Sequence, residues 1–91
     1  MAKIICYAIS NKEGDQYQNL MNAIKKHEGC CQIAESCWVI TTPESSKQIR
    51  DNLVQFLDTN DRLFVATLEK GTGAWANIME SSEILQNILK G

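Results

Sequence analysis

The chain reads as a single α+β domain in which the elements follow the order strand, helix, strand, strand, helix, strand, with a tail beyond. Three observations predict this class. Four short β-branched and aromatic runs are separated by turn-forming residues. Two of the stretches between them repeat apolar residues at helical spacing. The length of 91 residues, with 44% hydrophobic and 22% charged, suits one hydrophobic core and leaves no room for a second.

The first strand is predicted over residues 3–9, where Ile4, Ile5, Cys6, Tyr7 and Ile9 form a nearly continuous apolar run. Ser10 to Asp15 is turn chemistry, with Asp15 available to cap the next helix. Tyr17, Leu20, Met21 and Ile24 fall at offsets 0, 3, 4 and 7, one stripe of an amphipathic helix. Lys25, Lys26 and His27 suit its negative C-terminal end, and Gly29 suits its stop. Residues 30–34 and 37–41 are strands joined tightly at Glu35 and Ser36. Thr42-Pro43-Glu44 predicts a helix start, with threonine as cap, proline in the first turn and an acid facing the dipole. Ile49, Leu53, Phe56 and Leu57 supply that helix's apolar stripe, and Asp58 to Asp61 ends it. Residues 62–68 form the fourth strand, and Gly71-Thr72-Gly73 a turn. The tail, 74–91, carries Ile84, Leu85, Ile88 and Leu89 at helical spacing. With short, right-handed connections, this order predicts a ferredoxin-like βαββαβ sandwich with a C-terminal extension, one domain over 1–91.

Both faces of the predicted strands are apolar. A sheet with one face in water would alternate apolar with polar residues. Two helices cover one face, so the other needs a lid, supplied by the tail or by a second copy of the chain. A two-fold dimer joined sheet to sheet is the preferred expectation, because large exposed apolar patches are uncommon on monomers.

Composition narrows function by exclusion. Nine Lys and Arg against eleven Asp and Glu give a net charge of −2, and the sequence pI is about 5.3; neither suits a strongly basic nucleic-acid mat. No apolar run approaches the roughly 18 residues of a membrane helix. The N-terminal residues lack a signal-peptide pattern, so a cytoplasmic protein with reduced thiols is expected. Cys6, Cys30, Cys31 and Cys37 include no CxxC pair, and His27 is the only imidazole. Zinc ligation is therefore not expected, and the four cysteines read as buried structural thiols. Gly71-Thr72-Gly73 lacks the Lys-Ser/Thr ending of a phosphate loop, and no serine lies in a G-x-S-x-G context. No cofactor, metal or catalytic residue is expected from these patterns.

A family resemblance emerges from particular segments. Tyr7-Ala8-Ile9-Ser10, Tyr17 with Leu20 and Ala23-Ile24-Lys25, and the Ser-x-Trp within Glu35-Ser36-Cys37-Trp38-Val39-Ile40-Thr41-Thr42 belong to it. Ile49-Arg50-Asp51-Asn52-Leu53, the Leu-Asp-x-x-Asp-x-Leu run from Leu57 to Leu63, and Ala74-Trp75 continue it. Together they resemble the small bacterial and phage proteins labelled SinR family. That group is similar to the superfamily of the CRISPR-associated adaptation subunit and VapD ribonucleases. The resemblance implies a ferredoxin-like fold, a homodimer, and an ancestry in metal-dependent nucleases with an aspartate at the end of the first strand. In this chain Ala8 occupies that position, and alanine can neither ligate a metal nor accept a proton.

Two function classes follow. The first is a non-catalytic homodimeric binding module of that superfamily, taking nucleic acid, a nucleotide or a partner protein. The alternative is a metal-dependent endoribonuclease or toxin using other carboxylates. Candidate binding residues are Ser10 and Asn11 at the end of the first strand, together with the cations Lys25, Lys26 and Arg50. Tyr7, Trp38 and Trp75 are expected in the core or a dimer interface. Asp58 and Asp61 read as turn-satisfying acids rather than metal ligands.

Overall fold

The computed structural model describes residues 1–90; Gly91, the last residue of the expected tail, lies outside them. Four strands, β1 (Ala2–Ala8), β2 (Gly29–Ala34), β3 (Cys37–Thr41) and β4 (Arg62–Leu68), form one sheet in the order β2-β3-β1-β4. Every neighbouring pair is antiparallel. Helices α1 (Asp15–Lys25) and α2 (Ser46–Leu53), the latter ending in a 3₁₀ turn over Val54–Phe56, follow β1 and β3, and α3 (Ser82–Leu89) lies in the tail. The result is a small α+β fold.

Local chemistry moves two predicted helix starts. Gly14, not Asp15, is the N-cap of α1, and Asp15 sits in the first turn, where its charge still meets the positive end of the dipole. Residues 42–44 do not begin α2. Ser45 does, because its side chain accepts from the Gln48 amide while the Gln48 side chain accepts from the Ser45 amide. This reciprocal capping box satisfies two otherwise free donors, more than Thr42 followed by proline can do. Thr42 is instead buried, and its Oγ1 accepts from the Glu44 amide. Gly29 does not stop α1 either; it opens β2. A Cβ there would stand 2.8 Å from Thr41 Oγ1 on the neighbouring strand, so only glycine fits without a shift.

The sheet has two apolar faces, and each has its own cover. On one, Ile5, Tyr7, Trp38 and Ile40 pack beneath Leu20, Met21, Ala23 and Ile24 of α1 and Ile49 and Leu53 of α2. On the other, Ala2, Cys31 and Val39 pack beneath Leu85, Ile88 and Leu89 of α3, with Ile4, Ile33, Leu68 and Ile78 alongside. The tail is thus a lid within the same chain. It also ties itself to the outer edge of β2, where the Met79 and Glu80 amides donate to the Ile33 and Gln32 carbonyls at 3.2 Å each. The Glu80 carboxylate accepts from the Gln32 amide at 3.1 Å. Positive φ angles at Gly71 (76°), Gly73 (110°) and Asn77 (56°) turn the chain from β4 onto that face. No helix among the described residues is long and apolar enough to cross a membrane.

Candidate functional site

The five predicted binding residues do not converge. Ser10 and Asn11 follow β1, whereas Lys25 and Lys26 lie at the far end of α1, whose eleven residues span about 16 Å. Arg50 lies on α2, on the side that faces β4.

The end of β1 is engaged in structure. The Ser10 amide and hydroxyl both donate to Asp61 Oδ1, at 2.9 and 3.0 Å, while Asp61 Oδ2 accepts from the Asp58 amide at 2.9 Å. Asp61 thereby clamps the loop before β4 onto the end of β1. The Asp58 and Ser10 amides, with the Ser10 hydroxyl, hold its carboxyl below the usual carboxylate range. The Asn11 side chain accepts from the Glu13 amide, a local turn bond. Ala8 ends β1 exposed, directly opposite Arg62 of β4.

The cations stand in mixed company. Lys26 borders an open groove of about 620 Å³ that it shares with His27, Glu28, Thr42 and Glu44. Burial lowers the His27 imidazole, with nearby Glu44 opposing that shift and Lys26 adding to it. Arg50 donates through Nε and Nη2 to Asp51 Oδ1, at 3.0 and 2.7 Å, and Lys47 holds the other oxygen at 3.3 Å. These contacts hold the exposed Asp51 carboxyl low. Cations already met by acids in solvent are a weak basis for phosphate binding.

The aromatic residues divide between the two faces. Tyr7 and Trp38 are core beneath α1 and α2. The Trp38 indole donates to the Tyr7 hydroxyl at 3.0 Å, and that hydroxyl donates to the Glu35 carbonyl at 3.2 Å. Burial, the dominant influence, pushes the Tyr7 hydroxyl above its ordinary range. Trp75 belongs to the tail side. It donates to Ser82 Oγ at 3.3 Å and lines a cavity of about 180 Å³ with Ile4, Val39, Leu68, Ile78 and Leu85.

Sequence reasoning missed a surface that the topology creates. Strand β4 is the outer strand on one side of the sheet and, among the described residues, pairs only with β1. Phe64, in its middle, is 61% exposed and points to the same face as Cys6 and Ala66. Next to it runs a shallow groove of about 370 Å³ between α2 and β4, bordered by Ser46, Lys47, Arg50, Leu63, Phe64 and Val65. The clue available beforehand was that β4 follows a helix and precedes a turn, as an edge strand can. Its partner strand could not be read without the register. Among the described residues, no three or more His, Cys, Asp or Glu side chains gather where a metal ion could be held. No protein-family model matches the chain.

Proposed function

We propose that this protein is a non-catalytic, homodimeric interaction module with a ferredoxin-like fold, and that it self-associates through the open edge of β4. The observation that carries the reading is the outer edge of β4, unpaired among the described residues, with Phe64 exposed at its centre. Unpaired strand edges bearing apolar side chains invite another strand, and natural proteins usually blunt or cover them. In this sheet the β2 edge is covered by the tail and the β4 edge is not. A second copy pairing antiparallel with β4 would continue the sheet across both chains and remove Phe64 from water.

The fold reading is supported by the strand order β2-β3-β1-β4, the antiparallel pairing throughout, and the packing of α1 and α2 on one face. The resemblance to SinR-family and VapD-like proteins supports a dimer, and Ala8 supports a binding module rather than a nuclease. Because α3 occupies much of the second face, the dimer contact expected from the sheet faces moves toward the β1–β4 side. Of nucleic acid, nucleotide and protein as partners, protein fits best, since the predicted cations are scattered and Arg50 is already paired with Asp51.

Sedimentation equilibrium at micromolar concentration tests the dimer. The account expects twice the chain mass of 10.2 kDa for the wild type, and the single-chain mass with a native circular dichroism spectrum for Phe64→Glu. A wild-type monomer at all concentrations overturns it. RNA and DNA incubated with the protein and Mg2+ or Mn2+ should stay intact. Cleavage that disappears in Asp58→Ala would establish the endoribonuclease alternative instead.

A further inference from the structure

Cys6 of β1 and Cys37 of β3 stand directly opposite each other in the antiparallel register. At the next position, the Tyr7 amide donates to the Ser36 carbonyl at 3.1 Å. Hydrogen-bonded and non-hydrogen-bonded pairs alternate along an antiparallel ladder, so Cys6 and Cys37 occupy a non-hydrogen-bonded pair. There the facing Cα atoms are about 4.5 Å apart and side chains approach most closely. That separation lies within the span of a disulfide. The two Sγ atoms are 2.8 Å apart. Both thiols are free and half-buried, and Phe64, directly opposite Cys6 on β4, leaves this end of the face accessible.

The other two cysteines are not so arranged. Cys31 is buried on the α3 side, its Sγ 3.9 Å from the Ser81 carbonyl. Cys30 packs toward the helix-covered core, its Sγ 3.9 Å from the Lys25 carbonyl. Only the Cys6–Cys37 pair has its sulfurs brought together by strand register.

We propose that Cys6 and Cys37 form an oxidisable dithiol that closes into an intramolecular cross-strand disulfide when it meets a low-molecular-weight disulfide. In the first step one cysteine loses its proton to solvent, and its thiolate attacks a sulfur of the small disulfide. The S–S bond of that molecule breaks, and the departing thiolate takes up a proton. The second cysteine, deprotonated in turn, attacks the protein sulfur of the mixed disulfide and expels the second small thiol. Two electrons and two protons pass from the protein to the small disulfide, which leaves as two thiols. Burial and the contact with Cys6 push the Cys37 thiol up to about 12, so exchange is slow at neutral pH and faster in alkaline buffer. The bond would close a loop of 31 residues' separation that contains α1 and β2. Folding stability would then respond to the thiol–disulfide balance. The inference is independent of the dimer reading, because the two cysteines lie on inner strands and β4 pairing does not require them.

The test uses the reduced full chain, treated with excess glutathione disulfide in mildly alkaline buffer, then alkylated and digested after Lys, Arg and Glu. The expected product links residues 4–12 to residues 36–44, in protein that keeps its single-chain mass under denaturing conditions. Its melting temperature should rise by about 10 °C or more, fall back on reduction with dithiothreitol, and not rise in Cys6→Ser. Cys30→Ser should leave the rise unchanged. Cys6 and Cys37 recovered separately alkylated or glutathionylated, or linked to Cys30, Cys31 or another chain, would overturn the proposal. The wild-type peptide map decides the matter even if a variant fails to fold.

Discussion

The two faces of the sheet are covered by different means. Beneath α1 and α2, the fully buried Ile5, Leu20, Ile24, Ile40, Ile49 and Leu53 interdigitate around the Trp38–Tyr7 hydrogen bond. Beneath α3 the cover is one short helix reached through a long connection with three positive-φ residues. It leaves a cavity of about 180 Å³ against Ile4, Val39 and Leu68. It also leaves Phe64 beyond its reach. The first face is a core in the ordinary sense. The second combines a lid with an opening, and both the outer edge of β4 and the cysteine pair lie at that opening. Both faces bury a core, the larger beneath α1 and α2 and the smaller beneath α3.

Truncating each face in turn should separate these roles. Leu53→Ala empties a fully enclosed site and is expected to cost about 3–4 kcal/mol, as deletions from a tightly packed core do. Leu85→Ala, buried beside the cavity, should cost about 2 kcal/mol, the lower end for leucine-to-alanine changes in cores. Urea titrations followed by circular dichroism would measure both. In amide exchange, the second variant should release α3 while α1 stays protected; equal loss of protection in both helices would mean that the faces unfold as one unit.

Asp61→Asn probes the clamp at the end of β1 and should have the smallest effect, lowering the melting temperature by a few degrees at neutral pH. The sign of the pH dependence follows from its depressed carboxyl. A carboxylate held low in the folded state contributes stability above its unfolded value, near 4, and loses that contribution as pH falls through the folded value. The gap between wild type and variant should therefore be full at neutral pH and close in acid. A gap that persists undiminished well below pH 4 would show that the clamp does not depend on charge.

The strands were legible because each is a compact β-branched and aromatic run; β3 and β4 begin and end where the residues predict. Helix starts were less legible. Thr42-Pro43-Glu44 reads as a helix start, but the reciprocal bonds of Ser45 and Gln48 place that start three residues later. The apolar stripe of Leu85, Ile88 and Leu89 announced a helix that must be buried. It was silent on whether the burial is in the same chain, because the same stripe serves either lid. The candidate site was the least legible part. Ser10 and Asn11 sit where a ligand site was expected, yet Ser10 bonds the Asp61 carboxylate and Asn11 accepts from its own turn. The cysteine pair and the open edge depend on which strands are neighbours, and register between distant segments leaves no local mark in composition.

Self-association through β4 is tested most directly by comparing amide exchange at the two edges of the sheet over a range of protein concentrations. The β2 edge, already bonded to the tail at Gln32 and Ile33, should show the same protection at every concentration. The outward amides of β4 should exchange freely in dilute protein and become protected as concentration rises through the micromolar range, and Phe64→Glu should abolish that rise. Outward β4 amides that exchange at one rate throughout, in wild type as in the variant, would contradict the account.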